Sequence, residues 1–516
     1  MNHIWKTLIL TFFMIIRLSI VWAGEAEITS TLSMKTGLGA TDLSDIAWDG
    51  SSLWVSGSGT LSYKLWGDGH SSTDWISYRS MPGFGRGSMT ALYASDQILM
   101  VAWRYSDERG DEIVSMGDGF SISFDSGQTW SHITIDYLVQ QVFPERSELK
   151  YPGTYTMSYD IKFSDGTLWC PTTSGFLLKT DNFGYTWESI LPNTDEFNFQ
   201  NPNHHGQCVE VYGDTLWVGT FQGMNASFDR GDTWTNFSWP FDNTDNNGAQ
   251  WPGNFCVAVE HKIVGGKTNV WVGSQPYFGK GVSGICHTDD NGQTWTYKST
   301  KYNAWNFAFG YENEINSAVS DSTIFAASDS GLVVSYDLGD NWEVLTVKES
   351  DNLFWEPGMQ IFGVLVAADT LWVTSTDGIA SSPDWGQTWN IFRGVTRVKT
   401  LDTSDRNIGI SSQFDDVETY AFPNPFTPTR GGQAYSRTRI HYALKNDASV
   451  SVYIYDFSGK LVKEIFSGKF RVGGRDYQEI WDGRDGDNVI VPNGVYYYLI
   501  KTNKGDSARG KVIVLD

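Results

Sequence analysis

Basic residues are scarce in this chain. Lys and Arg number 37 against 60 Asp and Glu, a formal charge of −23 over 516 residues. Such a surface repels phosphate, so nucleic acid is not an expected partner. Cysteine is scarcer still, with Cys170, Cys208, Cys256 and Cys286 in the mature chain. None of these pairs has CxxC spacing, so a zinc site is not expected. Cys208 and Cys256 open the similar apolar runs Cys-Val-Glu-Val and Cys-Val-Ala-Val. That placement reads as buried free thiols at equivalent positions of two repeats. No apolar run beyond the N-terminus reaches the roughly 18 residues of a spanning helix. GxSxG, HExxH and a P-loop in a credible context are missing, and no metal or cofactor is expected.

What is present is aromatic and glycine-rich. There are 23 Trp, 24 Tyr, 29 Phe and 53 Gly, with only 19% charged residues, so the chain can fill large cores. The N-terminus reads as an address. Lys6 precedes the apolar run Thr7–Ile16, and Val21-Trp22-Ala23 offers small residues for a cut after Ala23. Residues 1–23 are therefore expected to be a secretory signal peptide.

One octapeptide recurs six times, as Ser/Thr-x-Asp/Asn-x-Gly-x-Thr/Asn-Trp. The copies are SFDSGQTW, TDNFGYTW, SFDRGDTW, TDDNGQTW, SYDLGDNW and SPDWGQTW, ending at Trp130, Trp187, Trp234, Trp295, Trp342 and Trp389. Their tryptophans are 57, 47, 61, 47 and 47 residues apart, a period that signals a repeat architecture. A β-prone run, often Leu-Trp-Val, precedes each copy, centred on Trp54, Trp169, Trp217, Trp271, Phe325 and Trp372, with a seventh at Ile98–Ala102. A further short apolar run lies upstream of each, including Met89–Ala94, Cys208–Val211, Cys256–Val259 and Ile315–Val319. No helical periodicity accompanies them. Each unit reads as four short strands, and the count is seven; the first unit has only a degenerate end at Asp74-Trp75. The fold class expected is all-β: a seven-bladed β-propeller over residues 24–400, then a small Ig-like β-sandwich. Six equal copies of a turn suit a structural job, so Asp125, Asn182, Asp229, Asp290, Asp337 and Asp384 are expected to brace turns.

These boxes resemble those of the Asp-box (BNR-repeat) propellers, which include sialidases, xyloglucanases, sortilin-type receptor domains and the photosystem II assembly factor propellers. The resemblance implies the propeller fold, and it implies no single activity, since hydrolases, receptors and assembly factors share it. The Phe-Arg-Ile-Pro motif of sialidases does not occur. No arginine precedes Arg79 in the mature chain, which argues against recognition of an anionic sugar. Xyloglucanases resemble two propellers facing each other, and this chain has room for one.

The connections between units should lie opposite the boxes. They are rich in aromatics, and Tyr155, His204, His205, Trp251, Trp305 and Trp355 are candidate ligand-binding residues. A sugar or peptide would stack on the rings and bond the neighbouring amides. For a glycoside hydrolase, two facing carboxyls are needed. Asp45, Asp160 and Glu314, read as standing near the starts of first strands, are the candidates.

Residues 401–420 read as a linker, and 421–516 as a second domain. Strands are expected at Thr438–Leu444, Val450–Tyr455, Leu461–Phe466, Asp476–Trp481, Val495–Thr502 and Lys511–Leu515, separated by Gly turns. Pro423-Asn-Pro-Phe, Val452-Tyr-Ile-Tyr-Asp-Phe-Ser-Gly459, Trp481-Asp-Gly and Pro492-Asn-Gly-Val-Tyr-Tyr-Tyr498 form an ordered set. This set resembles the C-terminal sorting domain of the type IX (Por) secretion system and is similar to the Ig-like domain of the flagellar hook-capping protein. The resemblance implies type IX machinery as a partner and a secreted or outer-membrane surface location. Three functions follow as alternatives: binding of a polysaccharide or surface protein, glycoside hydrolysis by axial carboxylates, or a structural surface role.

Overall fold

The Leu-Trp-Val runs become the second strands of four-stranded antiparallel sheets, and the sheets are arranged as blades around an axis. The computed structural model describes residues 33–516 except 37, 39, 41–42, 58, 66–74, 80, 97, 110–111, 143–156, 193–196, 199, 239–252, 277–282, 351–352, 356–357, 394–418, 423, 430–435, 445 and 474. Residues 1–23, expected as a signal peptide, lie outside the described residues.

Seven blades are present, each built from four strands consecutive in the chain. Their innermost strands are Leu43–Trp48, Ser88–Ala94, Lys162–Ser164, Gly206–Tyr212, Phe255–Val264, Ala304–Phe309 and Ile361–Ala367. Blade 1 carries a fifth strand, Ser33–Thr36, paired outside Ile76–Arg79. The molecule is thus a seven-bladed β-propeller followed by an Ig-like β-sandwich, as the repeats require.

The register of strands one and two explains the recurring tryptophan. Ala47, Lys162, Glu210, Glu260 and Leu365 stand opposite Trp54, Trp169, Trp217, Trp271 and Trp372. These tryptophans are at most 3% exposed. Each fills the seam between neighbouring blades, where a flat ring buries the most apolar area. The seams number seven, one per pair of neighbours. The last joins blade 7 to blade 1: Trp372, Ile379 and Phe392 pack with Leu43, Ile46 and Val55. The ring is closed there by side chains, with no strand exchanged between first and last blades among the described residues. All four cysteines are buried free thiols, and burial pushes Cys170, Cys208 and Cys286 well up.

All six octapeptides turn the third strand into the fourth. In the first, Asp125 accepts from the Thr129 N–H (2.8 Å) and from its hydroxyl (2.5 Å). Ser123 donates to Asp125 at 2.9 Å and accepts from Gly127 N–H at 3.0 Å. The Trp130 indole N–H closes the turn on the Gly127 carbonyl at 3.0 Å. Asn182, Asp229, Asp290, Asp337 and Asp384 each accept from the backbone N–H four residues on. Two successive residues have positive φ, such as Ser126 (55°) and Gly127 (80°), so the glycine is half of a left-handed pair.

Three local expectations are corrected. Ile315–Val319 is not the first strand of blade 6; Ala304–Phe309 is, while Asn313 and Asn316 fold 313–318 into side-chain-capped turns that leave Ile315 56% exposed. Trp305, expected in a connection between units, accordingly lies in that innermost strand. A helix, α1 (Ile135–Val142), lies where no helical pattern was expected, and its Ile135, Leu138 and Val139 cover the seam of blades 2 and 3.

In the sandwich, Thr419–Phe422, Thr438–Leu444 and Arg475–Trp481 form one sheet, and Leu461–Arg471, Ala448–Tyr455, Gly494–Thr502 and Ser507–Val514 form the other. Its core is separate from the seams and includes Val452, Ile454, Trp481 and Tyr498.

Candidate functional site

In a blade of alternating strands, connections one-to-two and three-to-four leave from one face, and two-to-three and four-to-one from the other. The octapeptides therefore mark one face. On the opposite face the axis opens into a cavity of about 440 Å³, a size that suits a small ligand. Met157, Tyr159, Phe221, Phe255, Trp305 and Phe362 supply its apolar lining, and Asp45, Asp160, Asn306 and Glu260 supply much of its polar lining.

The carboxylates have structural partners. Asp45 accepts from Ile46 N–H and, across the seam, from Leu92 N–H, both at 2.8 Å. Asp160 repeats this with Ile161 (2.8 Å) and Val209 (2.9 Å). Asn306 spans the next such seam, accepting from Val364 N–H at 2.9 Å. These three bridge blade 1 to 2, 3 to 4 and 6 to 7. An amide does the job at one site, so the position needs an acceptor oxygen and not a charge.

Two residues further along the innermost strands lies a charged ring segment. Lys162 of blade 3 reaches Glu210 of blade 4 (2.9 Å) and Glu260 of blade 5 (2.7 Å). Glu210 also meets His261 Nδ1 at 2.5 Å, and the His261 ring stacks on Tyr212 at 4.2 Å. Burial pushes Glu260 up to about 8 and Asp45 up to about 7, and raises Asp160 as well. Burial acts on Glu210 in the same sense, yet Lys162 and His261 hold it below the usual range. Burial opposes the charge on Lys162, but Glu210 and Glu260 keep it ionised. The floor is thus an ion network with two carboxyls titrating near neutrality.

The candidate residues separate. Trp305, Asp45 and Asp160 meet at the cavity. Glu314 does not: it is exposed in the connection between strands one and two of blade 6, on the octapeptide face. Trp355 is 3% exposed in the seam of blades 6 and 7, with its backbone N–H donating to the Val347 carbonyl, so it is a core residue and not a stacking platform. His204 and His205 are 2% and 6% exposed. His204 Nδ1 accepts from Asn198 N–H at 2.8 Å, and His205 bonds the Thr173 carbonyl and stacks on Phe221. They anchor a loop. Tyr155 and Trp251 lie outside the described residues. Among the described residues no cluster of three or more metal-ligating side chains occurs.

Lys162, Glu210, Glu260, Tyr159, Phe221 and Phe362 escaped the sequence reading. A signal existed for Glu210: a charge inside Cys-Val-Glu-Val, an otherwise apolar innermost strand, requires a buried partner.

Residues 427–506 match the FlgD Ig-like domain family. No curated protein sequence matches the chain. Among solved structures the chain is similar to PorZ of Porphyromonas gingivalis, described as an essential surface component of the type IX secretion system. Identity is 14% over 92% of this chain and 70% of that one, with a TM-score of 0.43. It is also similar to YCF48 from Cyanidioschyzon merolae, at 14% identity over 80% of this chain and 97% of that one, TM-score 0.39. The extracellular domain of BT3049 from B. thetaiotaomicron matches at 10% identity over 92% and 67%, TM-score 0.33. Among the described residues no helix is long and apolar enough to cross a membrane.

Proposed function

We propose that this chain is an exported surface protein whose propeller binds a polysaccharide or a protein at the axial cavity. The cavity itself carries this reading: an opening of about 440 Å³ with Tyr159, Phe221, Trp305 and Phe362 around a hydrogen-bonding floor. Such a lining stacks on a sugar ring or an apolar side chain and bonds its polar edge. The octapeptides, with their resemblance to Asp-boxes, are the frame. Hydrolysis is disfavoured, because both oxygens of Asp45 and of Asp160 accept backbone N–H bonds that tie blades together.

Export is ascribed to the signal segment 1–23 and to residues 421–516 acting as a type IX sorting domain, after a linker at 401–420. The ordered motifs from Pro423 to Tyr498 support that assignment. The test is retention of the purified chain on a glycan array and on polysaccharide resins, with product analysis of each polymer retained. Retention without products that is lost in Trp305→Ala supports the reading; cleavage of a retained polymer overturns it. No retention on any glycan removes the saccharide arm and leaves the protein ligand. Export is tested separately, by deleting 421–516 and following secretion.

A further inference from the structure

The lining of the axial cavity is ordered by depth. The innermost strands begin on the cavity face, so Tyr159, Phe255 and Phe362, at or before the starts of theirs, ring the mouth. Glu260 stands well past Phe255 on the same strand and is therefore deeper. Its Oε1 meets Lys162 at 2.7 Å, while Oε2 has no hydrogen-bond partner among the described residues. Gln207 is 5% exposed and also lines the cavity. Its Nε2 donates to the Gly206 carbonyl at 3.0 Å, which leaves the amide oxygen at the cavity without a donor. The donors of the lining are mostly engaged within the protein. The Thr90 hydroxyl donates to the Ser158 carbonyl (2.6 Å) and the Ser44 hydroxyl to the Met89 carbonyl (3.3 Å). The Trp305 indole N–H is buried out of reach, and Asn306 Nδ2 is left. The floor thus offers acceptors and few donors.

Charge points the same way. Around the axis the described residues bring four carboxyls, Asp45, Asp160, Glu210 and Glu260, against the Lys162 ammonium and the His261 imidazole. The innermost strands of blades 2, 6 and 7 add no charge, and Lys262 of blade 5 is turned away to Asp321. Burial raises Tyr93, Tyr212, Cys170 and Cys208, so they stay neutral. Even with Lys162 and His261 both charged, two carboxyls have no counterion. We infer that the cavity takes a basic side chain of a protein or peptide, a lysine ammonium or an arginine guanidinium seated on Glu260 and Gln207 with its apolar stem between the rings. This rests on the cavity being the ligand site. Either head group is all donor and no acceptor, as the floor requires. Aromatic faces attract a cation, and a methylene stem packs on apolar walls. A neutral sugar brings acceptors as well as donors, and no charge. Burial pushes Glu260 up to about 8, with Lys162 opposing and Glu210 adding. Burial pushes Asp45 up to about 7, with its backbone bonds opposing and Asp160 adding. A bound cation favours the ionised carboxyls, so binding expels protons and tightens as pH rises through these values.

The test is calorimetry on the full chain with three peptides, acetyl-Gly-Gly-Xaa-Gly-Gly-amide, where Xaa is lysine, arginine or norleucine. At pH 8.5 the basic peptides should bind at least about tenfold tighter than the norleucine peptide. From pH 8.5 to 6 they should weaken at least about tenfold, while the norleucine peptide holds its affinity. Glu260→Gln, which keeps the size of the side chain, should abolish both the preference and most of the pH dependence. Asp45→Asn, which keeps an acceptor for Leu92 N–H, should flatten the dependence below about pH 7. Near-UV circular dichroism confirms folding of each variant. A norleucine peptide that binds as tightly as the basic ones, or a preference that survives Glu260→Gln, overturns the cation and leaves the cavity as a ligand site. A glucosamine tetramer that binds at pH 7 where neither basic peptide does overturns the protein source. If no peptide and no glycan binds, the cavity reading falls and this inference with it.

Discussion

The two faces of the disc are made by the same strands and follow different rules. On one face six octapeptides fold alike, with the same acceptor, the same left-handed pair and, at Trp130, Trp187, Trp234, Trp342 and Trp389, the same indole bond to a glycine carbonyl. On the other face the blades diverge. Asp45, Asp160 and Asn306 latch three of the seams, a helix fills one connection and a β-hairpin another. Repetition marks what every blade needs to exist. Its breakdown marks where the blades act together, because a ligand at the axis touches several blades at once.

The comparison can be broken most severely in the layer that both faces share. Trp217→Ala removes a fully buried indole from the seam of blades 4 and 5. It should cost about 3–5 kcal/mol, read from the urea midpoint. Next comes pH. Asp45 and Glu260 are raised to about 7 and about 8, so their contribution is complete below about pH 4 and is lost as pH rises through those values. Thermal stability should therefore decline from pH 5.5 to 8.5, by an amount on the order of a few kcal/mol. A flat profile would show that these carboxyls are better solvated than their surroundings indicate.

A smaller pair of effects separates the faces. Asp384→Ala deletes the acceptor of one octapeptide and should lower stability by roughly 1 kcal/mol while ligand retention is unchanged. Trp305→Ala should do the reverse, with retention down at least about tenfold and the melting temperature nearly constant. The smallest effect is expected for Asp45→Asn. It keeps an acceptor for Leu92 N–H, as Asn306 does for Val364, so stability at pH 4, where the Asp45 carboxyl is protonated in the fold, should change by less than about 1 kcal/mol. Its diagnostic is a shallower decline between about pH 4 and pH 7, measured by the same melts.

Legibility divides along the same line. The octapeptides and the Leu-Trp-Val strands are local patterns, and they located the seven blades; the sandwich strand Thr438–Leu444 was likewise readable to the residue. Blade 6 was misread because Ile315–Val319 looks like a strand by composition, while asparagine side chains hold it in turns. The helix Ile135–Val142 did carry a readable i, i+3, i+4 stripe in Ile135, Leu138 and Val139. The site was half legible. Asp45, Asp160 and Trp305 could be named, but their partnership with Glu260 and Lys162 depends on ring closure, which brings together residues over 250 apart in sequence. No local pattern encodes that closure. The same holds for the Asp377 carboxylate and His441 Nε2, which are 3.8 Å apart and belong to different domains.

The closure of the ring has a consequence for assembly. Among the described residues, blade 1 and blade 7 meet through side chains such as Ile46 and Trp372, with no shared strand. A propeller that borrows a strand to close must hold its first blade incomplete until the chain ends. Here each blade can finish as soon as its own four strands are available. The growing structure is then an open arc whose two end surfaces stay apolar until Phe392 arrives. During that interval the arc can add a neighbour from another molecule as readily as its own last blade, so chain concentration at the moment of folding decides between ring and chain-to-chain stack.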